Sequence, residues 1–289
     1  MAITAAQVKE LRERTGLGMM DCKKALEEAS GDMETAIEEL RKKSALKAAK
    51  KAGRTTADGL LGLKVAEDGK KGALVEVNIE TDFAAKNEKF MAFVAEVLAA
   101  VYEGGETEVE KLLGGELGSK RETLVQEIGE NITVRRAAYL ATDDGRIGSY
   151  LHGDNKKGAL VQLSGGDDEL GRDLAMHVTA INPMVVTSDQ VPEDVLAKER
   201  EIYASQAADS GKPADIVEKM VEGRVRKYLA EVSLVDQPFV KDQNTKVGKL
   251  LEQNGASCQA FVRFEVGEGI EKDETDFAAE VAAQVKGSS

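Results

Sequence analysis

Tryptophan is absent from this chain of 289 residues, which also has four prolines, two cysteines and two histidines. Aromatics make up 4% while apolar residues reach 42%, so any core must be built mainly from Leu, Val and Ala. Cys22 and Cys258 cannot form a disulfide framework or a zinc cluster, and such sparse use suits a reducing compartment. His152 and His177 are not at metal-ligand spacing, and neither has a cysteine close by. The most apolar run, FMAFVAEVLAAVY (90–102), is too short to span a bilayer and contains Glu96. The start, MAITAAQVKELRERTG, is charged and has no apolar stretch of the kind a secretion signal needs. Without secretion the Asn131-Ile132-Thr133 sequon carries no meaning. There is no phosphate-binding G-x-x-x-x-G-K-[ST], and Gly16-Leu17-Gly18 lacks the spacing and strand context of a dinucleotide site. The Asp and Glu pairs sit in solvated helical charge patterns, with no nucleophile–base constellation. A formal charge of −13 repels nucleic acid on average. These absences point to a cytoplasmic binding protein with no cofactor, no metal and no membrane partner, rather than an enzyme.

Thr4 to Gln7 forms a capping box, and Val8, Leu11 and Leu17 mark the apolar side of a helix that ends at Gly16 and Gly18. Cys22, Ala25 and Leu26 mark a second helix, and Ala36, Ile37 and Leu40 a third starting after Asp32. RKKSALKAAKKAGR (41–54) follows, with seven basic residues and no acidic one. It reads as a helical linker. LLGLKVA (60–66) and GALVEVNIE (72–80) read as two strands around an Asp-Gly turn. One helix is expected from Thr81–Asp82 to about Glu103, then helical stretches at 107–113 and 119–128 and a strand at 132–140. The hexapeptide KKGALV, seen at 70–75, returns at 156–161 in the second strand of another hairpin and is again followed by a helix, 169–182. Matching placement of the repeat predicts a duplicated α+β core. The second unit lacks its last strand locally, and CQAFVRFEV (258–266) is the candidate to supply it. Between the two parts of that unit, 191–211 and 212–233 predict a helical hairpin, each helix with Pro in its first turn. Helices that pair only with each other often need a partner. A short helix at 245–255 and an amphipathic helix in the tail complete the pattern.

Four stretches attract a functional reading. Ile79-Glu80-Thr81-Asp82-Phe83-Ala84-Ala85 lies where a strand becomes a helix. Either Thr81 or Asp82 caps the helix while Phe83, seven residues before Phe90, packs in the core, or Phe83 projects outward beside an acid as a wedge. The TDFAA at 275–279 is better explained as a cap. Met19-Met20, beside Lys23 and Lys24, fits a small core or an adaptable contact surface equally. The basic stretch 41–54 is a solvated linker or an RNA contact; it has no interleaved aromatics, which favours the linker. His152 belongs at an exposed hairpin tip, and His177 fits a satisfied core histidine.

Long strings of the sequence resemble the bacterial elongation factor Ts family, the guanine-nucleotide exchange factors for elongation factor Tu. They are VKELRERTGLGMMDCKKALEEASGDMETAIEELRKK, ETDFAAK, IGENITVRRAAYL, MHV at 176–178, SGKPADIVEKMVEGRVRKYLAEVSLVDQPF and FVRFEVGEGIEKDETDFAAEVAA. They run from one end of the chain to the other. The resemblance implies an α+β protein with a ubiquitin-associated-like three-helix module and linker at 1–54. Core subdomains at 55–144 and at 145–182 plus 233–266 would follow. A coiled-coil insertion at 183–232, linked in the family to dimerisation, and a C-terminal module at 267–289 complete the implied layout. Asp82 and Phe83, flanked by Thr81 and Ala84, would enter the G domain of elongation factor Tu and displace the groups that hold Mg²⁺. Met19, Met20 and Lys23 would also touch that domain, as would the tail around Phe277. Ile128, Gly129 and His152 would lie toward the third domain of the partner. Leu17, between two glycines, is an apolar variant that leaves this contact intact. Three alternatives compete: a partner-sequestering protein without exchange activity, a small-molecule transferase using the space between the core units, and an RNA binder resting on 41–54 alone.

Overall fold

The computed structural model describes residues 3–208 and 213–271. Phe277 and the expected tail helix lie outside the described residues. Helices α1 (Ala5–Thr15), α2 (Met19–Glu28) and α3 (Met33–Lys51) form the N-terminal module. The Thr4–Gln7 capping box starts α1, and Gly16 ends it in the left-handed conformation that its φ of 74° requires. Leu11, Cys22, Ala25, Leu26, Ala36 and Leu40 are fully or almost fully buried between the three helices.

The linker reading of 41–54 needs correction. α3 runs without a break to Lys51, and Leu40, Ser44 and Ala48 form a buried stripe at helical spacing. The Ser44 hydroxyl donates to Gln126 Oε1 at 2.6 Å, and the Lys51 ammonium bonds the carbonyl of Gly129. Small residues among many lysines hide this face in the sequence. Lys42, Lys43, Lys51 and Arg54 all bond acceptors within the protein, which weakens the phosphate-binding alternative.

Strands β1 (Asp58–Val65), β2 (Lys71–Ile79) and β3 (Ile132–Ala141) form an antiparallel sheet in that order. Helices α4 (Asp82–Ala85), α5 (Glu88–Gly104), α6 (Val109–Leu113) and α7 (Glu116–Ile128) lie between β2 and β3. The single helix expected from residue 81 is therefore two. Asn87 breaks it, its side chain accepting from the N–H of Lys89 at 2.9 Å as the cap of α5. The second sheet has β4 (Arg146–Leu151), β5 (Lys157–Ser164) and β8 (Ser257–Glu265) in antiparallel order, with α8 (Asp168–Ile181) after β5. The insertion holds α9 (Glu193–Ala208) and α10 (Ala214–Val232), and β6 (Pro238–Phe239), β7 (Asp242–Lys246) and α11 (Val247–Gln253) follow it. The β6–β7 pair was not anticipated from sequence. β8 (Ser257–Glu265) then completes the second sheet as expected. The fold is α+β, with small antiparallel sheets and an N-terminal helical module.

The repeated hexapeptide encodes a layered packing. Successive strand residues face opposite sides. Ala73 and Val75 of the first copy face α5, whose Phe90, Val94 and Val97 bury against them. Ala159 and Val161 of the second copy pack in the same way with Leu174, Ala175 and Val178 of α8. Leu74 and Leu160, the intervening residues of each copy, point between the sheets with Leu61, Ile147 and Phe264. The transferase alternative needed a substrate site there, and the space holds these side chains instead. α8 approaches β4 so closely that a Cβ on Gly148 would lie 2.3 Å from the carbonyl oxygen of Gly171.

A buried carboxylate joins the two halves. Glu76 on β2 is 0% exposed, and it accepts from Arg135 at 3.0 Å, Arg136 at 2.6 Å, Asn78 at 3.1 Å and the N–H of Gly267 at 2.9 Å. Arg135 and Arg136 are consecutive, so regular alternation would send them to opposite faces. The register shift between Glu76 and Val77 is a bulge that turns both inward. Their guanidinium groups also reach the carbonyls of Glu268 and Glu265, beyond and at the end of β8. Removing the carboxylate leaves two partly buried cations short of a partner. Glu76→Ala should therefore lower stability by about 3 kcal/mol, near the lower end for a broken buried pair because Glu268 remains. Urea denaturation checks this.

His177 is a satisfied core residue, as its sequence context suggested. The N–H of Val240 donates to its Nδ1 at 3.1 Å, so the proton sits on Nε2, 2.9 Å from Gln237 Oε1. Gln237 in turn donates to the carbonyl of Glu231 at 2.6 Å, tying α8 to the exit of the helical hairpin. Burial holds the His177 pKa below its ordinary 6.5. The unfolded chain then binds a proton first, so this contribution is present above pH 6.5 and is lost as the pH falls below it. Denaturation across the histidine range should show that loss in the native protein and a smaller one in His177→Gln.

Candidate functional site

β2 ends at Ile79, and the chain leaves the sheet through Glu80 and Thr81 into the single turn of α4. Thr81 is the cap: its backbone is extended, and its hydroxyl accepts from the N–H of Ala84 at 3.2 Å. Ala85 is buried and Ala84 half-buried against the first core. Phe83 is 81% exposed, the highest value among the large hydrophobic side chains of the described residues. The two readings of this stretch thus divide. The cap holds, and the packing of Phe83 beside Phe90 does not, because Phe90 alone is in the core. Asp82 is exposed next to Phe83, with Lys86 Nζ 3.2 Å from its carboxylate and 5.5 Å from the ring centroid.

Two neighbouring stretches share this end of the molecule. Met19 and Met20 start α2 and are 57% and 77% exposed, so they form surface rather than core. Lys23 stands one turn on, 3.8 Å from Glu27. α7 ends at Ile128, which is partly buried, and Gly129 caps it with a φ of 89°. Glu127, on the last turn of α7, lines one recess with Gly18 and Met19 and another with Lys86 and Lys89. The start of α2, the end of α7 and the α4–α5 junction therefore form one continuous face.

His152 lies in the β4–β5 turn with its Nδ1 2.9 Å from Asp154 Oδ1. That hydrogen bond is the main reason the Asp154 carboxyl titrates below its ordinary range. The same turn reaches β1: Asn155 accepts from the N–H of Leu61 at 2.8 Å, and Lys156 pairs with Asp58 at 2.8 Å. Asp58 is opposite Ile79 in the sheet, so this turn borders the sheet end from which α4 projects. No three His, Cys, Asp or Glu side chains gather as a metal site among the described residues. No helix there is long and apolar enough to cross a membrane. The face offers an aromatic ring, a carboxylate and two methionines to a partner surface.

A family model described as Elongation factor TS matches residues 80–268, beginning one residue before the exposed turn. Elongation factor Ts of Hahella chejuensis (strain KCTC 2396) is 58% identical over 286 residues, covering 99% of this chain and 99% of that protein. The protein of the same name from Marinobacter nauticus (strain ATCC 700491 / DSM 11845 / VT8) is 58% identical over 282 residues, 98% and 97% of the two chains. The chain belongs to the elongation factor Ts family. It is a translation elongation factor, with a place in protein biosynthesis.

Sequence reasoning missed the residues that brace the exposed turn. Thr81 donates through its N–H and its hydroxyl to the two oxygens of Glu130, at 3.0 and 2.9 Å. Glu80 accepts from the N–H of Asn131 at 2.5 Å, and Asn131 donates to the carbonyl of Arg54 at 3.0 Å. The available signal was weak: a Gly-Glu-Asn turn ahead of a strand looks like any other loop. Because Phe83 packs against so little, Phe83→Ala should change stability by less than about 0.5 kcal/mol. Phe90→Ala should cost about 3–5 kcal/mol. Chemical denaturation of the two variants checks the contrast.

Proposed function

We propose that the chain binds elongation factor Tu carrying GDP and accelerates GDP release and GTP reloading. The observation that carries this reading is Phe83, an aromatic side chain left in solvent on a one-turn helix beside Asp82. A GTPase holds its nucleotide through phosphate contacts and a bridging Mg²⁺. Asp82 and Phe83, with Thr81 and Ala84 shaping the turn, enter the partner's G domain and favour a conformation that holds the metal poorly. Nucleotide and exchange factor then weaken each other by the same coupling free energy. The factor makes and breaks no covalent bond, holds no nucleotide itself and acts in the cytoplasm.

Met19, Met20 and Lys23 touch the G domain in this reading, while Ile128, Gly129 and His152 face the third domain. Phe277 returns to the G domain from beyond the described residues. The boundaries at 54, 144, 182, 232 and 266 separate units with distinct tasks, and the 183–232 hairpin pairs two complexes. Ile202 and Ile216, exposed on that hairpin, support the last point.

The test is the release rate of fluorescent GDP from elongation factor Tu. The chain should accelerate release, and Asp82→Ala/Phe83→Ala should still bind while losing at least about tenfold of the acceleration, within the usual range of coupling energies. Binding without acceleration by the unmodified chain would support sequestration instead. Equal acceleration by both proteins would return the turn to the role of a helix cap.

A further inference from the structure

We infer that Glu130, together with Glu80, is a positioning residue that clamps the Asp82–Phe83 turn to the end of α7. The inference rests on the exchange reading above. A four-residue helix has no stability of its own. Phe83 is exposed and Asp82 pairs with the exposed Lys86 on the same turn, so neither side chain ties the turn to the rest of the molecule. What holds it is Thr81 and the two alanines behind it.

Thr81 bonds in three directions. Its N–H and its O–H donate to separate oxygens of Glu130, and its hydroxyl oxygen accepts from Ala84. The carboxylate therefore sets the hydroxyl rotor so that a lone pair faces the helix. Hydrogen bonds to an ionised acceptor are the strong, directional kind. Across the gap, the N–H of Asn131 donates to Glu80. The β2–β3 ladder stops at the pair Ile79 and Ile132, and these two carboxylates continue the pairing for two residues beyond it.

The clamp joins separate surfaces. Glu130 follows Ile128 and Gly129 directly, and Gly129 is held by Lys51 at the end of α3. Arg54 lies 3.4 Å from Glu80. A displacement of the α7 end is thus transmitted to the turn through Glu130, and the contact at Ile128–Gly129 steers the position of Phe83.

Two measurements on the full chain test this. The chain has no tryptophan, so Phe83→Trp places one indole at the tip of the turn. Its fluorescence anisotropy should fall when Glu130→Ala is added; unchanged anisotropy overturns the clamp, whatever happens to exchange. In the second measurement Glu130→Ala should lower the maximal GDP-release rate about tenfold, within the usual range of coupling energies. In a Phe83→Ala background the same change should matter less than about twofold, because it acts through that side chain. Full-sized loss in both backgrounds would mean a general structural defect and overturns the proposal, as does no loss in either. If the unmodified chain does not accelerate release, the exchange reading falls and takes the steering role with it, a failure distinct from both.

Discussion

A carboxylate without solvent decides how the two halves of this protein meet. Glu76 lies on the face of β2 that looks toward the second sheet, where an unpaired charge would be costly. It is tolerated because two arginines and a backbone amide converge on it, and that convergence needs the bulge in β2–β3 pairing. The same arginines extend to Glu265 and Glu268, and Arg136 stacks 4.2 Å from the centre of the Phe264 ring. The first sheet is thus fastened to the last strand of the second by groups that bond in only one arrangement. Apolar contact alone, through Leu74 and Leu160, is less demanding about orientation.

From that fixed pair of sheets the candidate site is placed at one end. β2 delivers Thr81 to the edge, β3 begins beside it, and the β4–β5 turn arrives through Lys156 and Asp58. α3 and α7 close the other side through Ser44, Gln126 and the Lys51–Gly129 contact. The exposed ring of Phe83 contributes little to this framework. A side chain so placed is free to be used in binding without loss of the fold, and the framework behind it is what makes its position reproducible.

Duplication explains why the framework is cheap to encode. The bulge in the second unit falls between Gln162 and Leu163, the positions that correspond to Glu76 and Val77 by the offset of the repeat. Thr81 and Asp167 also correspond, and each caps the helix that follows its sheet strand. The units differ where it counts: after the second cap come Asp168 and Glu169, with no aromatic residue. The helix after the second cap runs unbroken over Asp168–Ile181, whereas the one after Thr81 is broken at Asn87 and carries Phe83 on its first turn.

Periodicity, caps and the repeated KKGALV were enough to read the α+β class, most elements and the return of residues 258–266 to the second sheet. These are local signals, since a strand's alternation and a helix cap are set by a few adjacent residues. The long family-like strings pointed to the translation factor. Tertiary structure alone decided that Phe83 faces solvent, that one stripe of the basic helix is buried, and that Asn87 divides one expected helix into two. It also decided that Glu76, Glu80 and Glu130 are structural acceptors rather than surface charges. The physical reason is common to all of them. A sequence shows which side of an element is apolar, but the environment of a charged or aromatic side chain depends on residues tens of positions away, and only the packed chain brings those together.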